Sequence, residues 1–307
     1  MGGLALADRI SRSRRTLRRR LPLSPRDVHL VTGDERPGSR RSPQLSVGAR
    51  GGRDLPNATV LPLELASLQS VRDFADAVKQ HLGNTRIDML VLNAGAQFRQ
   101  AERSDDGYEM TFAVNHLSHY LLARLLMPEM AEGGRIVITT SDTHDPAKMP
   151  LGPRTLDPEA LAHPTKDSTG RAYAASKLCN LLTARSLAAS EDVTTRHITV
   201  IAYNPGLTGG TSLSGGSALQ RAAMAALRPV LRFLSLFLSQ LYMSTPEQSG
   251  DALARLVMGQ VTPPPGRVYA SRVRGKITFP DPSKLAQSDD ARDLLWRESA
   301  AMVGLPV

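Results

Sequence analysis

Ile87-Asp88-Met89-Leu90-Val91-Leu92-Asn93-Ala94-Gly95 is the stretch on which the fold turns. Six residues, apolar except for Asp88, run without a break into a small polar turn. Strands with one wet face alternate apolar and polar residues. An unbroken apolar run suits a strand covered on both faces, as in a parallel sheet between two helical layers. Before it, Ser67 is placed to cap a helix over 67–82, with Leu68, Val71, Phe74, Ala75 and Val78 on one stripe. After it, a long helix is expected over 107–130. Arg135-Ile136-Val137-Ile138-Thr139-Thr140 then repeats the buried-strand pattern, with Ser141 at its carboxyl end.

The same alternation continues in both directions. Residues 198–203 form another apolar strand, ended by Asn204-Pro205-Gly206, and Val268-Tyr269-Ala270 a last short one. Thr245-Pro246-Glu247-Gln248 is a capping box with proline at the first helical position, and the tail from Asp289 reads as helix. Upstream, Val28-His29-Leu30-Val31-Thr32 is a short strand closed by Gly33. A weak strand follows at 45–49 and a better one at 58–65. Strands alternating with helices predict an α/β fold with a doubly wound, Rossmann-like parallel sheet over 28–307, its first βαβ unit shortened. In such sheets ligands bind at the carboxyl ends of the strands. Asn93, Ser141 and Pro205 all stand at such ends.

Chemistry points to Tyr173-Ala174-Ala175-Ser176-Lys177. A tyrosine four residues before a lysine sets both side chains on one helix face, one turn apart. The ammonium favours the phenolate and lowers the tyrosine's pKa from about 10. A phenol so tuned exchanges a proton with an alcohol or carbonyl oxygen near neutral pH. An ordinary helix surface is the alternative.

Composition narrows the field. The chain has 307 residues and one cysteine, Cys179, which rules out an internal disulfide and a Cys-based zinc site and fits a reducing, cytoplasmic setting. No His/Asp/Glu spacing suggests a metal. Residues 1–53 hold thirteen arginines and four acids, which is the entire net charge of +9; residues 54–307 are neutral. The positive charge therefore belongs to an N-terminal extension, 1–27 above all, and not to the folded body. A basic arm of this kind is expected to be a solvated tail. It permits peripheral contact with an anionic membrane, while nucleic-acid binding is not expected. No apolar run reaches the length of a transmembrane helix.

Taken together, Asn93-Ala94-Gly95 after one strand, Asn115 inside the next helix, Ser141 ending the following strand, Tyr173 and Lys177 on the helix after it, and Pro205-Gly206 beyond resemble the short-chain dehydrogenase/reductase family. The resemblance covers roughly 58–280. The run from Asp105-Asp106-Gly107-Tyr108-Glu109 through Val114-Asn115-His116-Leu117-Ser118-His119 resembles its retinol dehydrogenase and protochlorophyllide reductase branch. The resemblance implies an oxidoreductase moving a hydride between NADP(H), with NAD less favoured, and a carbonyl or alcohol of a fairly apolar small molecule. It implies Tyr173 as general acid or base, Lys177 as its partner and a ligand of the nicotinamide ribose, Ser141 as holder of the carbonyl oxygen, and Asn115 as positioner of a water. Asn93, Ala94 and Gly95 would line the adenine-ribose side, Glu64 and Leu65 would contact adenine, and Pro205-Gly206 would flank the nicotinamide. A homodimer through helices at 107–130 and 171–189 and a lid around 227–243 are also implied.

The N-terminal end departs from that pattern. The family opens with Thr-Gly-x-x-x-Gly-x-Gly, whose glycines let backbone reach a pyrophosphate at a helix N-terminus. Here Thr32-Gly33 is followed by Asp34-Glu35-Arg36-Pro37-Gly38-Ser39, which shifts one glycine, lacks the last and adds two acids. Only eleven residues, 34–44, separate Gly33 from the next strand. A helix of three or four turns with its loops needs about twenty. Arg50 sits where an NADP-preferring member would hold the 2′-phosphate. The alternative expectation is a non-catalytic binding or dimerisation module with impaired cofactor binding.

Overall fold

The computed structural model describes the backbone of residues 28–32 and 44–46, and residues 59, 61–98, 100–164, 169–208 and 242–307. The arginine-rich extension, Gly33, the altered glycine loop, Arg50 and most of the expected lid lie outside the described residues.

A six-stranded sheet runs in the order β1 (Val28–Thr32), β4 (Ile87–Leu92), β5 (Met130–Thr139), β6 (Thr199–Asn204), β7 (Tyr269–Val273), β8 (Lys276–Thr278). The pairings are parallel from β1 through β7; β8 closes an antiparallel hairpin on β7. Helices cover both faces. On one side pack α1 (Leu68–Leu82), α2 (residues 110–126) and α4 (Thr169–Ala189). On the other packs α6 (Pro246–Val257). The short helices α3 (Pro158–Ala162) and α5 (Glu191–Thr195) lie in connections, and α7 (Lys284–Gln287) and α8 (Asp289–Met302) complete the chain.

The apolar run of β4 is explained by its two faces. Ile87, Leu90 and Leu92 enter the core under α1, α2 and α4, while Met89 and Val91 enter the second core under α6. The α1 stripe of Leu68, Val71, Phe74, Ala75, Val78 and Leu82 is buried, and Ser67 accepts the Ser70 N–H as its cap. Helix α4 is buried nearly all round, buried polar residues included: sheet and α2 take one side, and α7 and α8 pack across it.

Three boundaries differ from the sequence reading. The helix expected over 107–130 spans 110–126 and ends in a turn at Met127–Glu129, where Pro128 offers no N–H to continue it. Strand β5 therefore begins at Met130. Between Ile87↔Met130 and Met89↔Arg135 it bulges out through residues 131–134, with Gly133 in the left-handed region at φ 68°. The third difference is in the shortened first unit. β2 (Gln44–Ser46) and β3 (Pro62–Glu64) pair antiparallel with each other, in register Gln44↔Glu64, apart from the main sheet.

Candidate active site

The carboxyl end of β5 organises the site. The Thr139 carbonyl accepts hydrogen bonds from Lys177 Nζ at 3.3 Å and Asn180 Nδ2 at 3.0 Å. The Thr140 hydroxyl donates to the Lys177 carbonyl at 2.6 Å. Helix α4 is thus fastened to β5 at the level of Lys177, which sets the height of Tyr173 one turn earlier. Thr139 Oγ1 also donates to Asn93 Oδ1 at 2.9 Å and ties the end of β5 to that of β4.

Lys177 is 2% exposed, and its Nζ lies 5.5 Å from the centroid of the Tyr173 ring. A buried ammonium is costly without polar contacts, and the Thr139 carbonyl supplies one. Gly95 walls the same space: a Cβ there would stand 3.0 Å from Lys177 Nζ and 3.5 Å from Asn115 Oδ1. Tyr173 is half-buried.

Asn115 lies in a wide π-turn of α2, Ala113–Leu117, and is fully buried. Such turns insert a residue into a helix and re-aim its side chains and carbonyls. The Asn115 amide accepts the Ala96 N–H at 2.8 Å and donates to the Ala96 carbonyl at 2.9 Å and to Ser176 Oγ at 3.0 Å. Ser176 in turn donates to the Tyr173 carbonyl at 2.8 Å. The Asn115 side chain thus couples the Asn-Ala-Gly turn to the Tyr-Lys helix, and the backbone carbonyl of Asn115 accepts from His119 Nδ1 at 3.0 Å.

Ser141 begins the turn Asp142–His144. Its hydroxyl oxygen accepts the Thr143 N–H at 3.3 Å. The hydroxyl hydrogen has no acceptor among the described residues, so it can be given to a substrate oxygen. At the end of β6, Gly206 has φ 71°, and a Cβ there would meet the Arg272 carbonyl at 2.8 Å, so both conformation and space demand glycine. Asn204 holds this turn, accepting the Gly206 N–H at 3.0 Å and donating to Ser271 Oγ at 3.0 Å.

The structure therefore brings together Asn93, Ala94, Gly95, Asn115, Tyr173 and Lys177 around the end of β5, with Ser141 two residues beyond Thr139. Thr32 stands at the same strand-end edge, beside the end of β4, whereas Glu64 and Leu65 are engaged away from it. Thr32 pairs with Leu92 in β1. Glu64 ends β3; its carboxylate accepts the Ala66 N–H at 2.9 Å and its own N–H donates to Ser70 Oγ at 2.9 Å. The Leu65 side chain is buried in the core, and its carbonyl accepts from Ser118 Oγ at 2.5 Å.

The anchoring contacts of Thr139, Ser176 and Asn180 were not read from the sequence: Ser176 stands inside the Tyr-Lys spacing, and the carbonyl of Thr139, which Lys177 and Asn180 reach, is a backbone group that no motif displays. Burial holds His116 down at about 3 and His119 at about 4, so both are neutral at pH 7, and it lowers His144 as well. Burial pushes the Cys179 thiol up, which leaves it an inert core group. Among the described residues no cluster of metal-ligating side chains occurs, and no helix is long and apolar enough to cross a membrane.

Comparison with known proteins agrees with this arrangement. A family profile described as short chain dehydrogenase matches residues 43–149. Protochlorophyllide reductase A, chloroplastic, from Hordeum vulgare is 32% identical over 277 residues, covering 80% of this chain and 67% of that protein. Retinol dehydrogenase 13 from Homo sapiens is 29% identical over 248 residues, covering 79% and 68%. The chain spans about half the length of other curated relatives it matches, 54% and 45% in two cases. The crystal structure of an uncharacterized protein from Mycobacterium Paratuberculosis superposes with a TM-score of 0.57 at 22% identity, covering 85% of this chain and 82% of that one, a likeness of fold.

Proposed function

The chain belongs to the short-chain dehydrogenase family, on the branch of retinol dehydrogenase and protochlorophyllide reductase, and from that premise we propose an oxidoreductase that reduces a ketone or aldehyde, or oxidises the matching alcohol, with NADP(H). The observation that carries the reading is the buried Lys177 ammonium, fixed at the end of β5 one turn after Tyr173 and walled by Gly95.

The residues present fit the nicotinamide end of such a dinucleotide. A Cβ at Gly95 would press on Lys177 Nζ, so glycine there leaves the ammonium its place, and Pro205-Gly206, by resemblance to the family, would flank the nicotinamide. When bound, the dinucleotide supplies or accepts the hydride. The chain's own residues do the rest. The Tyr173 phenol gives its proton to the carbonyl oxygen, or takes one back in reverse. The Lys177 ammonium stabilises the phenolate that is left. The Ser141 hydroxyl donates to the same oxygen and orients it. Arg50, by its place in the sequence, is the candidate ligand of a 2′-phosphate and the ground for preferring NADP to NAD.

An apolar substrate body is supported by the rim. Among the described residues, Met149, Leu151 and Leu207 are large hydrophobic side chains left exposed. All three lie on loops leaving the carboxyl ends of β5 and β6. A homodimer, cytoplasmic residence and a membrane contact through the basic arm remain part of the proposal; within one copy α8 already covers part of α4.

The test is NADPH oxidation against a panel of carbonyls. Tyr173→Phe should lower kcat by roughly 10²–10⁴-fold, the scale of a lost general acid; undiminished turnover would refute the mechanism. A second reading, a non-catalytic binding module, is favoured by the antiparallel pairing of β2 with β3 and by the engagement of Glu64 with its own backbone. Calorimetric titration separates the two: tight NADPH binding excludes the module.

A further inference from the structure

The turn that carries Ser141 is held from outside by groups that the chemistry above does not use. Asp142 Oδ1 accepts two hydrogen bonds, from Tyr269 Oη at 2.8 Å and from Lys148 Nζ at 2.6 Å. Tyr269 is 2% exposed and stands on β7, paired with Ala202 of β6, so its hydroxyl is a fixed point of the sheet. Its ring receives the His144 ring edge-on, with centroids 5.3 Å apart at 81°. His144 Nδ1 donates to the Ser141 carbonyl at 2.6 Å, which leaves Nε2 to accept the Ser283 N–H at 3.4 Å. Burial and the Asp142 carboxylate keep the Tyr269 phenol protonated, so it acts as a donor. Two arms therefore reach from β7 and the α7 approach to the three residues after Ser141.

We propose that Tyr269 and Asp142 are positioning residues for Ser141, a brace that fixes where its hydroxyl meets the substrate oxygen. The physical need is plain. Ser141 sits at the start of a single turn, and its hydroxyl is steadied within that turn only by the Thr143 N–H. A donor that orients a reacting oxygen loses effect when displaced by about an ångström. The brace converts a flexible loop position into one referenced to the sheet. Lys148 extends the same hold to the loop bearing Met149 and Leu151. The inference rests on the oxidoreductase reading.

The experiment uses the full chain and four variants, Tyr269→Phe, Asp142→Asn, Ser141→Ala and Tyr269→Phe/Ser141→Ala. Tyr269→Phe keeps the ring against His144 and removes one hydroxyl. The expected result is a kcat lowered roughly tenfold in each brace variant with NADPH affinity unchanged, and no further loss when Tyr269→Phe is added to Ser141→Ala. The Thr143 and His144 amides, both bonded to Ser141, should exchange hydrogen faster in each brace variant at unchanged Tm. Equal fractional losses in both backgrounds, unchanged kcat, or unchanged exchange at these amides would each overturn the brace. A wild-type chain that turns over none of the carbonyls with NADPH, and none of the matching alcohols with NADP, defeats the oxidoreductase reading itself, and the brace with it. A wild-type chain that turns over while the cycle is additive defeats only the brace.

Discussion

The two halves of this molecule are built to different standards. From β4 to β7, every strand end is tied to a neighbour. Thr139 reaches Asn93, Thr140 reaches the Lys177 carbonyl, Asn204 reaches Ser271, and Tyr269 reaches Asp142. At the N-terminal end, among the described residues, β2 pairs with β3 apart from the main sheet, and the Glu64 carboxylate accepts the nearby Ala66 N–H. The lesson concerns what a dinucleotide fold needs first. The half that holds the reacting atoms must be rigid to fractions of an ångström. The half that holds the remote end adds binding energy and tolerates change in proportion.

That contrast can be broken by substitution. Beyond Tyr173→Phe, the largest effect expected in the rigid half is from Gly95→Ala. The added Cβ would lie 3.0 Å from Lys177 Nζ, so the ammonium must shift by a few tenths of an ångström. Turnover should fall about tenfold with the fold retained; steady-state kinetics beside a thermal melt reads both, and unchanged kcat would show the lysine to be loosely held.

A smaller effect sharpens the comparison through pH. His116 and His119 sit neutral in α2, at about 3 and about 4 against 6.5 when unfolded. Their contribution to stability is complete above pH 6.5 and is lost as the pH falls toward the folded values, because the unfolded chain then binds protons the fold refuses. The slope approaches about 1.4 kcal/mol per pH unit for each histidine. Urea melts at pH 7.5, 6 and 5 should show stability falling in that order, and a flat profile would contradict the burial. The smallest effect should be that of Glu64→Ala. It removes the carboxylate's hydrogen bond from the Ala66 N–H, a contact worth about 1 kcal/mol, with kcat within about twofold of wild type if the first half is as uncoupled from chemistry as its pairing suggests. A large fall in kcat there would erase the distinction between the halves.

Much of this was legible beforehand, for identifiable reasons. The β4 run is apolar because both its faces are covered, and that burial is written in consecutive residues. The cap at Ser67 and the Tyr173–Lys177 spacing are likewise local, readable within one or two helical turns. What escaped was relational. The start of β5 depended on a bulge at 131–134 registered against Ile87. The turn β7–β8 lacked an apolar pattern, since Lys276-Ile277-Thr278 is short and half-exposed. The place of Glu64 depended on which strand β3 would pair with, and shortness of the crossover alone did not say.

By itself the chain of residues determined which segments must be buried strands, which helix sets a tyrosine one turn before a lysine, and where strand ends would gather polar groups; hydrophobic period and side-chain spacing are properties of neighbours in sequence. Only the tertiary structure decided that the Thr139 carbonyl anchors Lys177, that Asn115 binds the Asn-Ala-Gly turn to the Tyr-Lys helix, and that Tyr269 braces the Ser141 turn. Those contacts join residues tens to more than a hundred positions apart, and their geometry exists only once the sheet has brought its carboxyl ends to one edge.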